Sequence, residues 1–178
     1  MNDWTLESIN QTTAIVSISG STLVWRDDRA ESGSKFDTIY MQDIYEGQEV
    51  VVCPGYDPAV AVDGEAIAIG YHLGAEAHLR TSLDGGATWT DTVLDSTGKF
   101  VAPLVSDGVF GAVWVDYTDA QAAKDARNNS GHRTSAVWDG ETYLMNEGAT
   151  YTTQGQGTVV DGAPASVYQV DGVVFLAY

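Results

Sequence analysis

Glycine-centred turns recur along this chain at a regular step. An alternating apolar segment, a turn glycine and a second apolar segment ending in an aromatic residue occur four times, closing at Trp25, Tyr71, Trp114 and Tyr178. The turn glycines are Gly20, Gly64, Gly108 and Gly172, spaced by 44, 44 and 64 residues. Apolar alternation with period two marks half-buried strands. Asp63-Gly64, Asp107-Gly108 and Asp171-Gly172 are dipeptides that tolerate the positive φ of a tight hairpin. A step of 44 matches the length of one four-stranded blade in a radial all-β array. The expected fold is therefore a β-propeller of four-stranded antiparallel sheets, with each of these turns joining the first and second strands of a unit.

Third and fourth strands follow in order. After Trp25 come DTIYMQ and QEVVV, after Tyr71 come AHLRTS and TWTDTVL, and after Trp114 come RTSAVW and ETYLM. The echo of Arg80-Thr81-Ser82 in Arg133-Thr134-Ser135 marks equivalent third strands. Residues 1–178 thus read as a single domain, with blades at about 13–55, 57–94 and 101–145 and a two-stranded fourth at 160–178. The fourth is expected to be completed by a strand from residues 1–12 (WTLESIN) or by another chain, because an unpaired edge is a template for further pairing. The Gly/Thr-rich stretch from Asn146 reads as a connector or assembly arm.

Bulk properties narrow the function classes. Hydrophobic residues make up 44% of the 178, enough for a packed core. There are 25 acidic against 8 basic residues, a net charge of -17. Nucleic acid is excluded as an expected partner, because binding it requires Lys and Arg to neutralise phosphates. The Asp excess and scarce Lys resemble the acidic proteins of salt-loving organisms, and an ordinary acidic domain has the same composition. No apolar run reaches the length of a membrane span, and MNDWTLESIN lacks the basic start and apolar stretch of a signal peptide, so neither membrane insertion nor export by leader is expected. Cys53 is the single cysteine, which excludes an internal disulfide. His72, His78 and His132 lack zinc-site spacing, and one carboxylate per turn falls short of a calcium cage, so no metal or other cofactor is expected.

One motif is specific. Ser82-Leu83-Asp84-Gly85-Gly86-Ala87-Thr88-Trp89 carries Ser82, Asp84, Gly86, Thr88 and Trp89 in the Ser-x-Asp-x-Gly-x-Thr-Trp pattern. Here the chain resembles the Asp-box (BNR-repeat) propellers of the sialidase type. The resemblance is strong over residues 57–94 and architectural elsewhere. Asp139-Gly140-Glu141-Thr142-Tyr143 is a decayed copy, and Trp25-Arg26-Asp27-Asp28-Arg29 is similar to the Trp-x-Asp-x-Arg stretch of related surface propellers. The resemblance implies a structural motif in which the Asp bonds turn amides and the Trp packs between sheets. It also implies that an enzymatic member would need three convergent arginines, a Tyr/Glu nucleophile pair and an Asp acid. Only Arg26, Arg29, Arg80, Arg127 and Arg133 are present. Arg80 and Arg133, inside third strands, are expected to pair with neighbouring carboxylates, and no enzyme is expected.

In a propeller the second-to-third and blade-to-blade connections share one face. That loop face is the expected binding surface. Its candidates are Arg26, Asp28, Tyr56 and His72, with Asp116, Tyr117, Lys124, Arg127, Asn128, Asn129 and His132 from a 17-residue connection at 116–132. A connection this long is uncommon unless it works, or else it is a packing insertion with a short helix capped by Asp119. Trp25, Tyr71, Trp114 and Tyr178 read as inter-blade core, the alternative being exposed rings that stack on sugars. The expected function is a non-enzymatic binding or structural module: a head, tail or spike component of a phage or archaeal virion, whose partners are other protein chains and a cell-surface glycan. The alternatives are a reduced sialidase-like glycoside hydrolase and a cytoplasmic protein–protein scaffold.

Overall fold

The computed structural model describes residues 16–27, 37–45, 47–116, 133–146, 156–160, 163–170 and 173–177, and these form fifteen strands. The first sheet holds β1 (Val16–Ser19), β2 (Thr22–Asp27), β3 (Thr38–Asp43) and β4 (Glu49–Pro54) in that order. The second holds β5 (Tyr56–Asp63), β6 (Ala66–Leu73), β7 (Glu76–Ser82) and β8 (Thr90–Asp95), and the third holds β9 (Gly98–Ser106), β10 (Val109–Asp116), β11 (Arg133–Trp138) and β12 (Glu141–Asn146). All pairings are antiparallel.

The first-to-second turns use their glycines as the spacing implies. Gly20, Gly64 and Gly108 have φ of 58, 59 and 74°, the left-handed region a two-residue hairpin needs. Neighbouring hairpins are also tied to one another. The amides of Val60 and Val62 on β5 donate to Ser17 Oγ and Ser19 Oγ of β1 at 3.2 and 3.1 Å, and the Asp107 amide donates to Asp63 Oδ2 at 2.7 Å. β5 is an edge strand of its sheet, so serines of the adjacent sheet satisfy part of its open backbone edge.

The fourth sheet departs from expectation. It has three strands, β13 (Gln156–Val160), β14 (Ala163–Val170) and β15 (Val173–Ala177), in that order. β13 packs near β9 as β9 does near β5, so β13 holds the first-strand place. The segment read as connector therefore contains a strand. The turn at Gly172 joins the second and third strands rather than the first and second. β13 and β14 pair up to Val160 and Ala163, on either side of Asp161-Gly162, so the equivalent glycine is Gly162, 54 residues after Gly108, and the long 116–132 connection accounts for the remaining excess over 44. The strand expected in residues 1–12, the helix at 119–127 and Tyr178 lie outside the described residues.

The core lies between sheets. Val24, Ile39, Met41 and Cys53 of the first sheet meet Val60, Ile67, Ile69 and Tyr71 of the second, and Ala68, Ala77 and Leu79 meet Val101, Ala112 and Trp114 of the third. Trp25, Tyr71 and Trp114 are all buried, so the one-per-sheet aromatics are core and the sugar-stacking alternative is excluded for them. Sheets approach closely at Gly70, where an added Cβ would lie 2.6 Å from the Val101 carbonyl oxygen.

Candidate functional site

A repeated irregularity shapes the loop face. β5 and β6 pair Tyr56 with His72 and Ala59 with Gly70, leaving Asp57 and Pro58 opposite Tyr71. β9 and β10 pair Lys99 with Val115 and Ala102 with Val113, leaving Phe100 and Val101 opposite Trp114. Asp57 and Phe100 have φ of 50 and 55°. These are equivalent bulges on successive first strands, each at a strand's loop-face end, where a bulge re-aims the residue before it. Those residues are Tyr56 and Lys99.

Tyr56 joins the sequence candidates into one stack. The Arg26 guanidinium lies over its ring at 5.3 Å from the centroid, and the His72 ring stacks on it at 5.5 Å and 26°. Arg26 Nε is held 3.0 Å from Asp37 Oδ2, and His72 Nδ1 lies 3.5 Å from Asp57 Oδ2. Gly55, alone between β4 and β5, donates to the Asp37 carbonyl oxygen at 2.9 Å and so fixes the connector beside that ion pair. Burial holds the His72 pKa below the ordinary histidine value. The Asp57 carboxylate opposes the shift, and Lys99 and Arg26 add to it. Burial thus disfavours the charged form of His72, which lies within the electrostatic reach of two cations inside a chain of net charge -17.

The structure brings together Arg26, Tyr56 and His72 of the expected residues with Asp57 of the same loop-face connector, and adds Asp37 and Lys99, which sequence reasoning missed. Lys99 is equivalent to Tyr56 through the two bulges, 43 residues on, whereas the 44-residue step points to Phe100, so the repeat alone did not mark it. Asp116 ends β10 on the same face, while Asp28, Tyr117, Lys124, Arg127, Asn128, Asn129 and His132 lie outside the described residues. At the opposite, hairpin end, the described charged residues are Asp43, Glu49, Asp63, Glu65, Asp84, Asp107, Asp139 and Glu141, with no Lys or Arg among them.

The Ser82–Trp89 loop at that end is closed by its own side chains. Asp84 Oδ1 accepts from the Thr88 amide at 2.8 Å and from Ser82 Oγ at 2.7 Å, and Asp84 Oδ2 accepts from Thr88 Oγ1 at 2.6 Å. Ser82 Oγ in turn accepts from the Gly86 amide at 2.8 Å. The Thr88 and Ser82 bonds hold the Asp84 pKa down to about 2. Trp89 packs against the cluster shared by the first two sheets, under the Arg80 guanidinium at 5.5 Å.

A second polar network, unannounced in the sequence, sits between those sheets. Asp91 on β8 accepts from Tyr71 Oη at 2.5 Å and from Arg80 Nη1 at 3.1 Å, and His78 Nδ1 lies 3.0 Å from it. The Tyr71 and His78 rings stack at 4.9 Å, and Glu76 lies 3.4 Å from His78 Nε2. Burial would raise the Asp91 pKa, but the bonds from Tyr71, His78 and Arg80 together outweigh it and lower it. Burial also pushes the Cys53 thiol up to about 11 and the Tyr71 phenol higher still. Arg80, as expected, is engaged by a cross-strand carboxylate. Cys53 is a core side chain with no thiolate character at neutral pH.

Sheets of this form, stacked by their faces with first strands adjoining, define the propeller class. Among solved structures, the chain is similar to a subtype N10 neuraminidase-like protein of A/little yellow-shouldered bat/Guatemala, at 12% identity and TM-score 0.58 over 92% of this chain and 55% of that one. It is also similar to a phage phi92 endosialidase, at 9% identity and TM-score 0.52 over 90% of this chain and 31% of that one, and to TolB from Acinetobacter baumannii, at 14% and 0.50 over 90% and 41%. The chain spans about half the length of the neuraminidase-like chains it matches. No protein-family model and no curated protein sequence matches it. The likeness is one of fold.

Proposed function

We propose that this chain is a non-enzymatic attachment module of the Asp-box kind, a head, tail or spike component of a virion that holds a cell-surface glycan on its loop face. The observation that carries the reading is the stack of Arg26, Tyr56 and His72 with Lys99 nearby. Rigid, pre-packed aromatic and cationic groups present donors to an acceptor-rich ligand with little ordering cost. Sugar hydroxyls and carboxylates are such acceptors. The absence of Lys and Arg from the described hairpin end directs an anionic ligand to the loop face alone.

A hydrolytic reading finds less support. Arg80, on the third strand of the second sheet, is bound to Asp91 and stacked on Trp89, so it is not available to join Arg26 around a carboxylate. A glycan array probed with the full chain is expected to give positive spots that fall at least about tenfold in the Tyr56→Ala and Arg26→Ala variants, a loss of about 1.4 kcal/mol or more. Sialoside turnover is expected to stay at background. Spots indifferent to both substitutions would remove the site, and turnover would remove the non-enzymatic reading.

A further inference from the structure

The outer edge of the first sheet differs from that of the second. β4 is the last strand of its sheet, so one side of its backbone has no strand beside it among the described residues. Of the exposed large apolar side chains described, Ile44, Tyr45, Val50 and Val51 all fall on the β3–β4 hairpin, with Ile18, Leu83 and Val93 scattered elsewhere. Tyr45 is 86% and Val51 67% exposed. Edge strands of natural proteins are normally protected by charge or proline against such pairing. Here Pro54 and a bulge at Val52, opposite the Ile39–Tyr40 step, blunt only the loop-face half. Towards the hairpin, Val50 and Val51 are β-branched and exposed, with Glu49 before them as the one charge of the described strand.

We propose that the β3–β4 hairpin is a self-association surface, on which a second copy of this chain pairs its own β4 antiparallel across a two-fold axis. A two-fold contact must be self-complementary, and the strand meets that demand. Any register centred on Val50 or Val51 sets Glu49 opposite Val51 or Cys53, so no carboxylate faces its own copy. The equivalent edge, β8, fails the same test. Its exposed apolar residue is Val93, and an axis there would set Asp91 against Asp95, a destabilising like-charge pair. Ile44 and Tyr45, at the hairpin tip, would cover the ends of the paired strands. With about a dozen residues a side, roughly half a standard interface, the expected Kd is on the order of micromolar. The inference goes beyond the glycan reading and does not depend on it.

Sedimentation of the full chain from about 1 to about 200 μM tests the proposal. A monomer–dimer equilibrium is expected, and it should tighten between about 0.1 and about 1 M NaCl as screening weakens the repulsion between two acidic copies. Val51→Lys should weaken the dimer at least tenfold and Tyr45→Ser several-fold, each with an unchanged far-ultraviolet spectrum, while Val93→Lys on β8 leaves it intact. Amide exchange in residues 49–51 should slow as concentration rises. A chain that stays monomeric throughout, a dimer that ignores Val51→Lys, or one broken by Val93→Lys would each overturn the assignment. Self-association that instead weakens with salt would mean that ion pairs rather than the apolar strand hold the copies together, and would overturn it equally.

Discussion

Two glycines show how differently one residue type is used here. At Gly20 an added Cβ meets nothing within 4 Å, and the constraint is the φ of 58° alone. At Gly70 the backbone is ordinary, but the added Cβ would lie 2.6 Å from the Val101 carbonyl oxygen and 2.7 Å from Val101 Cγ1. A backbone oxygen cannot rotate away as a side chain can. Gly20→Ala is therefore expected to cost about 1 kcal/mol, the penalty for an L-residue held left-handed. Gly70→Ala is expected to cost up to about 3 kcal/mol, because the second and third sheets must separate. Urea unfolding of the two variants separates the mechanisms: equal losses would show that close approach at Gly70 is not a constraint. The turn requirement was legible, since Asp-Gly between apolar runs is a local signal. Nothing local marks Gly70 as the point where a neighbouring sheet passes, and Asp91 is similar. Asp91 is one exposed position in an alternating strand until the fold sets Tyr71, His78 and Arg80 around it.

Elements were legible where each carried its own punctuation. β1 to β12 follow the turn glycines and alternating runs closely, because hairpin chemistry is local. β13 was hidden for a physical reason. It is five residues long, its QGTVV is flanked by Gly/Thr-rich sequence, and the Asp161-Gly162 after it is followed by Ala-Pro rather than by an uninterrupted apolar run as at Gly172. At the same scale, the Ser82–Trp89 loop makes a pH prediction. Asp84 is held at about 2 in the folded chain, below the ordinary carboxylate value of 3.8. A group with a lowered folded pKa stabilises fully above its unfolded pKa, and that stabilisation fades as pH falls from about 4 through about 2. Thermal melts of the parent chain should thus drop across that window more steeply than those of Asp84→Asn, whose melting temperature is lower at neutral pH. Parallel curves would mean that the Thr88 and Ser82 bonds do not favour the ionised form. Within the loop face, Arg26, Tyr56 and His72 were legible as neighbours because topology alone puts second-strand ends and connectors together. The stacking order was not, because it depends on the bulge that turns Tyr56 between the other two.

The whole molecule carries its charge unevenly, and that governs how it behaves in salt. Net charge -17 over 178 residues makes every approach of sheet to sheet an approach of like charge, concentrated at the hairpin end where Asp63 and Asp107 are already linked side chain to amide. In dilute buffer the screening length is about 30 Å, comparable to the fold itself, and the carboxylates of all the sheets repel one another. At about 1 M salt it shrinks to about 3 Å, and only contacts in register remain coupled. Among the described residues the Arg–carboxylate pairs lost to the same screening are Arg26 with Asp37 and Arg80 with Asp91, both half-exposed and each worth little as a surface pair. The repulsive sum therefore dominates the attractive one. The melting temperature should rise steadily from about 10 mM to about 1 M NaCl. Sodium sulfate should raise it further at equal ionic strength, because sulfate also strengthens apolar burial. Calorimetry at fixed low protein concentration, where dimerisation contributes nothing, isolates the effect. A melting temperature that fell as salt was added would show that the few ion pairs outweigh the acidic field.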